Sequence, residues 1–143
     1  MPEGVKSHLE ALETLWQERR GGRHLPTRKD LGVAALKPWL GSLALFECHP
    51  AHGTLFRICG TSLHERFGGE LTGLPISALE PKMAADLEEF LAKALATRRP
   101  QWGEYVIQRQ SSVVKFRELF LPLAGFDGDP RLVLFASYVD WRP

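Results

Sequence analysis

Apolar and polar positions follow two different rhythms along this chain. In "SHLEALETLWQERR", Leu9, Leu12 and Trp16 recur at helical spacing while Glu10, Glu13 and Gln17 supply a polar side. The pattern predicts an N-terminal helix with Ser7 and Glu10 as its capping box. Arg19 and Arg20 suit its C-terminal end, and Gly21, Gly22 and Pro26 stop it. Met83, Leu87, Phe90, Ala94 and Leu95 repeat the rhythm and predict a second amphipathic helix over about 83–97, followed by Pro100. Two shorter segments are also helical in pattern. One is "LGVAALKPWLG", limited by Pro38 and packing Trp39 inward; the other is "TSLHERFG", with Ser62 and Glu65 at capping-box spacing and Leu63 and Phe67 on one face.

The other rhythm is that of strands. "SLALFE" and "TLFRIC" flank "CHPAHG", whose Pro50 and Gly53 suit a hairpin loop. Late in the chain "WGEYVIQR", "VVKFRELFLPL" and "LVLFASYVDW" are separated by "QSS" and by a loop containing "AGFDGDP". Gly68, Gly69, Gly73 and Pro75 demand turns between the halves. The order predicts an α+β domain around one five-stranded sheet whose last three strands form an antiparallel meander.

Composition narrows the function more than the fold. The 143 residues carry 18 Lys and Arg against 17 Asp and Glu, a formal net charge of +1, so no general attraction to polyanions is expected. The basic charge is local instead. "RRGGRHLPTRKD", residues 19–30, holds five Lys or Arg side chains and one acid. It reads either as a nucleic-acid contact, with Arg19, Arg20, Arg23, Arg28 and Lys29 on one exposed face, or as a connector between helix and core. Cys48 and Cys59, in or beside strands of a chain without a secretory signal, are expected as reduced thiols, with the cytoplasm as the default location. No apolar run approaches the ~18 residues of a membrane span.

The segments "LW...RRGGRHLPTRKDL", "FRICGT", "LHERFGGELTG" and "RELFLPL" resemble a bacterial subfamily of mostly short PAS-domain proteins, over nearly the whole chain, from Leu9 to Val139. The resemblance implies an antiparallel sheet of strand order 2-1-5-4-3, with short helices on one face and the N-terminal helix over part of the other. It divides the chain into helix and connector, 1–30, and PAS-like core, 31–143. It also makes Gly22, Arg23, Pro26, Arg28 and Asp30 a structured joint rather than a nucleic-acid site. A charge-assisted contact of Arg23 or Arg28 to Asp30 or to helix C-terminal carbonyls is physically reasonable there.

Candidate chemistry is sparse. Cys48, His49 and His52 lie close together in sequence, but the tetrahedral ligand set is incomplete and a hairpin turn explains the segment, so no metal is assigned. PAS domains can hold haem through a helical histidine; His64 sits beside the apolar face and reads as a hydrogen-bonded surface group. Cys59 lacks the surroundings of a photoreceptor's flavin-reactive cysteine and reads as core. Ser111 and Ser112 belong to a turn, Glu104 and Glu118 lie on different strands, and the Gly68, Gly69, Gly73 cluster lacks the lysine of a phosphate loop. No catalytic residue is assigned.

What remains is an apolar cavity between helices and sheet. Leu63, Phe67, Leu71, Leu74, Leu87, Phe90 and Leu91 are its candidate helical lining, and Phe46, Phe56, Tyr105, Phe116 and Tyr138 its sheet lining. All twelve are equally ordinary core residues. The Leu9, Leu12, Trp16 stripe has to be covered either by the chain's own sheet or by a second protomer. The expected function is a non-enzymatic sensory or regulatory module that binds a small ligand, a signalling protein partner or both, with its cofactor unspecified. Little sequence lies outside the core, so a signal is expected to pass through a partner or a homodimer. An α+β small-molecule enzyme and, behind it, a nucleic-acid-binding protein using residues 19–29 are the alternatives.

Overall fold

The computed structural model describes residues 2–125 and 130–141. Helix α1 (Pro2–Arg20) begins earlier than the capping box predicts, so Ser7 lies inside it. Proline is tolerated in a first turn, where its missing N–H has no helical partner. The helix stops at Gly21, whose φ of +60° is the left-handed turn that favours glycine. Helix α2 (Val33–Leu36) passes into a 3-10 segment, Lys37–Ser42, with Pro38 in its first turn; the proline thus tightens the helix rather than ending it.

Strands β1 (Leu43–His49) and β2 (Gly53–Cys59) form the expected hairpin, although Cys48 and His49 extend β1 and leave a shorter turn. A 3-10 turn, Thr61–Leu63, leads into the one-turn helix α3 (His64–Phe67). Their N-caps are Gly60 and Leu63, so Ser62 does not stand at the cap position its spacing to Glu65 suggests. Helix α4 (Pro81–Thr97) starts two residues ahead of the apolar rhythm because Glu80 caps it, its carboxylate accepting from the Lys82 and Met83 N–H groups at 3.0 and 3.1 Å. It ends at Arg98 in the left-handed conformation, φ +56°. Arg98 is the one non-glycine residue among those described with a positive φ, at a cost of roughly 1–2 kcal/mol. Strands β3 (Gln101–Arg109), β4 (Ser112–Ala124) and β5 (Pro130–Trp141) complete the meander. Residues 126–129 of its last loop lie outside the described residues.

The sheet is antiparallel throughout in the order β2-β1-β5-β4-β3, as predicted. Alternation along β4 sends Leu119, Leu121 and Leu123 to one face and Phe120 to the other. The first face packs against α1, the connector and residues 31–42, burying Leu9, Leu12, Trp16, Leu25, Leu31, Leu36 and Trp39. The second carries Phe46, Phe56, Val133 and Phe135 under α3, α4 and the turns between them.

The stripe on α1 is therefore covered by the chain's own sheet. Leu9 and Leu12 are fully buried, each contributing about 1.5–3 kcal/mol relative to exposure. Trp16 is 2% exposed, and its indole Nε1 donates to the Pro122 carbonyl at 2.8 Å. These three residues offer no area to a second chain while α1 stays docked.

Truncating Trp16 removes both the packing and the indole donor. Trp16→Ala is expected to lower unfolding free energy in urea by about 3–5 kcal/mol while the sedimentation coefficient of the folded protein stays unchanged. A shift in oligomeric state without loss of stability would show that the stripe works between chains instead.

Candidate functional site

The second face of the sheet builds the site from aromatic residues outward. Phe46 meets Phe56 and Phe135 at ring-centroid distances of 4.7 and 5.8 Å, and Phe67 closes on Phe56 and Phe135 at 5.2 and 5.6 Å. Phe90 lies flat on Phe120, 5.0 Å away with 7° between ring planes. Gly103 allows this approach, because a Cβ there would stand 3.0 Å from the Phe90 ring. The predicted helical lining thus converges with Phe46 and Phe56, but as rings packed on one another.

Two of the twelve candidates fall elsewhere. Leu74 is 43% exposed, since the turns required by Gly69 and Gly73 carry it outward. Tyr138 lies on the opposite face, edge-on to His8 of α1 at 5.2 Å, because β5 alternation gives the helical face to Phe135 and Ser137 instead. Leu63, Leu71, Leu87 and Leu91 are buried in the helical-side core, with Phe90 packed at its margin. Tyr105 and Phe116 are cross-strand partners, and Phe116 is buried.

Beside Tyr105 is a group that sequence reasoning missed. Arg66 of α3 is 1% exposed and forms a two-pronged ion pair with Glu118 of β4, through Nε to Oε2 and through Nη2 to Oε1 at 3.1 Å. Ser137 of β5 donates its hydroxyl to Glu118 Oε2 at 2.7 Å. The guanidinium carbon stands 3.7 Å from the Tyr105 ring centre, with the Phe67 ring at 4.9 Å. Nη1 is buried and has no hydrogen-bond partner among the described residues. In sequence Arg66 looks like the polar member of a short surface helix. The available signal was Glu118, a lone acid inside the apolar run of β4.

The other chemical candidates separate. Glu104 and Glu118 occupy opposite faces; Glu104 instead pairs with Lys115 at 3.0 Å, near Arg117, which reaches Asp140 at 3.2 Å. His64 Nε2 lies 3.4 Å from Glu70 Oε2. Among the described residues no three His, Cys, Asp or Glu side chains stand together as a metal site. His49 lies 3.3 Å from Glu47, and burial pushes the Cys48 thiol up to about 11, with Glu88 and Glu47 acting the same way. Cys59 is raised chiefly by burial too.

The connector is a closed joint. Asp30 accepts from the Thr27 N–H at 2.8 Å, the Thr27 hydroxyl at 2.9 Å and Arg23 Nη2 at 2.8 Å. The Thr27 N–H is the largest of the influences holding its carboxyl below the ordinary range, so this contact strengthens above the unfolded pKa of aspartate and is lost as pH falls through the lower folded value. Arg23 also donates to the Arg19 and Arg20 carbonyls, capping α1, and Arg28 donates to the Leu31 carbonyl at 2.8 Å. Pro26 is buried and its carbonyl accepts from Ala124 N–H at 3.0 Å. Gly22 lies in the turn that follows α1.

With that fold, the sequence profile of the PAS domain matches residues 5–136. The chain belongs to the PAS domain family. Two solved structures with TM-scores above 0.5 share its architecture at low identity. The PAS domain of Bordetella pertussis BvgS aligns at 12% identity with a TM-score of 0.54, covering 74% of this chain and 81% of its own. A light-oxygen-voltage domain studied with a flavin analogue aligns at 15% and 0.51, covering 75% and 82%. A sensory box sensor histidine kinase from Vibrio cholerae aligns at 19% and 0.49, covering 78% and 89%. No curated protein matches the chain. The family is that of sensory and signalling modules, and no helix of this PAS domain is long and apolar enough to cross a membrane.

Two measurements test the site. Removing one member of the Arg66–Glu118 pair strands the other, so Arg66→Met and Glu118→Leu are each expected to cost about 3–5 kcal/mol in urea unfolding, and the double variant much less than their sum. Additive losses would show the two charges to be independent. At pH 8 a thiol raised from 9.0 to about 11 has about 100-fold less thiolate, so Cys48 should alkylate with iodoacetamide correspondingly slowly in the folded protein and rapidly in urea. Fast native labelling would contradict the raised thiol pKa.

Proposed function

We propose that this PAS domain is a non-enzymatic sensory or regulatory module whose helical half binds a small ligand and whose α1 passes the response to a signalling partner. The observation that carries the reading is the Arg66 guanidinium. It is buried between α3 and the sheet and paired with Glu118, to which Ser137 also donates, and its Nη1 has no partner among the described residues. An unmatched buried donor costs about 1–3 kcal/mol, and a carbonyl or carboxylate oxygen of a ligand would recover it. Tyr105 lies on the guanidinium, with Phe116 as its cross-strand partner, and the two suit a flat or apolar remainder. The phenylalanines occupy the interior, so a ligand enters by shifting side chains such as Phe90 at the margin.

A second reading has its own observation. On the α1 side of the sheet, beyond the part that α1 covers, Val106 is 55% exposed beside Glu104, Lys115 and Arg117, a mixed surface suited to a protein partner or a second copy. The connector, with its arginines tied to carbonyls and to Asp30, supports a joint in preference to a nucleic-acid contact.

Mass spectrometry of small molecules released by denaturing the protein, purified without additions, separates these readings. The ligand reading expects a stoichiometric compound from the wild type and its loss from Arg66→Lys, which keeps the charge but not the fork. An empty wild type that is also not stabilised thermally by a panel of small carboxylates would leave only the partner reading.

A further inference from the structure

The C-terminal ends of α1 and α4 meet around a second, unrelated cluster. Arg20 closes α1, His24 follows in the connector, and Arg98 and Arg99 close α4; together with Trp16 and Thr97 they line one cleft of about 210 Å³. An adjoining cleft of about 270 Å³ shares His24 and Arg98 and adds Arg23. Among the described residues no carboxylate lines either cleft. The nearby acid, Asp30, is already engaged by Arg23 and Thr27. A chain with a net charge of +1 thus gathers at least three formal positive charges at one concave place, drawn from segments far apart in sequence.

Cations near helix C-termini complement the helix dipole, and Arg23 does this for α1. Arg98 and Arg99 follow the end of α4, but both are exposed, and among the described residues neither side chain has a hydrogen-bond or ion-pair partner. Arg98 also occupies the left-handed position where glycine is the unstrained choice. Arg20 is preorganised, holding Gln17 Oε1 at 3.1 Å and the Arg23 carbonyl at 2.9 Å, with its guanidinium over the Trp16 ring.

We propose that this cleft binds the phosphate group of a small phosphorylated molecule or a free polyphosphate. Arg98 and Arg99, without partners among the described residues, stand beside the already engaged Arg20, and their two forks match the several acceptor oxygens and double charge of a phosphate better than the single charge of a carboxylate. A nucleic-acid backbone fits less well. It needs a track of free cations, whereas Arg19, Arg23 and Arg28 are spent on backbone carbonyls and Asp30. Occupancy would tie the end of α1 to the end of α4, and so the outer helix to the helical half of the core.

Titration calorimetry of the full chain at low ionic strength, with inorganic pyrophosphate and separately with ADP, tests the site. Both should bind, more weakly as salt rises. Equal affinities identify free polyphosphate as the ligand type, and tighter ADP a phosphorylated molecule whose remainder is also held. Arg98→Gly combined with Arg99→Ser should weaken binding by at least about tenfold while thermal unfolding is undiminished, because glycine suits the left-handed turn. Arg57→Ser, which removes an exposed cation paired with Glu47 on β2, should change nothing. The proposal fails if neither probe binds or if the double variant binds as well as the wild type. It also fails if an oligonucleotide binds with a steep salt dependence while pyrophosphate does not, since the cations would then form a nucleic-acid track.

Discussion

A sheet that is apolar on both faces needs two covers, and most of this molecule follows from that requirement. Antiparallel sheets commonly leave one face to water. Here β1, β4 and β5 put leucines on one side and phenylalanines on the other, so neither face can be solvated over the central strands. The helical segments after β2 cover the phenylalanines. Covering the leucines falls to α1, the connector and residues 31–42, and that is why a helix outside the strand-rich part of the chain is integral to its core. Trp16 marks the dependence most clearly, filling the leucine face with its ring and satisfying a strand carbonyl with its N–H.

The two faces solve packing differently. The leucine face is dry over the part that α1 covers and turns charged beyond it, at Glu104, Lys115, Arg117 and Asp140. The phenylalanine face keeps charge inside. Arg66 and Glu118 sacrifice hydration, and an apolar pair of similar volume often serves stability as well or better. What the ion pair adds is specificity of place: Nε and Nη2 fix the rotation of α3 against β4, and Ser137 brings β5 into the same arrangement.

Strands and long helices were legible because rhythm and turn residues agree there: "LVLFASYVDW" and the 83–97 repeat leave little choice of element. Strand order came from the resemblance rather than from periodicity. Facing was less legible. Tyr138 and Phe135 look alike in sequence, and only register separates the α1 side from the α4 side. The capping boxes at Ser7 and Ser62 failed because a side-chain cap matters only where the helix starts, and α1 runs back to Pro2 while α3 begins at His64. The Arg66–Glu118–Ser137 contact joins residues up to 71 positions apart, 137 minus 66, and no local pattern encodes it. The connector was readable in part: Arg23 makes both of the contacts that its neighbours suggested, to Asp30 and to the helix carbonyls.

Beyond Phe120, β4 has no neighbour on the β3 side, because β3 begins at Gln101 opposite that residue. Pro122 places its missing N–H where no strand could use it, its carbonyl goes to Trp16, and Ala124 bonds to Pro26 while Thr27 adds a parallel bridge. The joint therefore does for β4 what a sixth strand would do. Unprotected strand edges recruit other chains into shared sheets, and Leu121–Ala124 is an apolar edge of that kind. Lifting α1 and its connector away would thus expose an adhesive backbone as well as a leucine face, so any displacement of the helix carries a risk of aggregation.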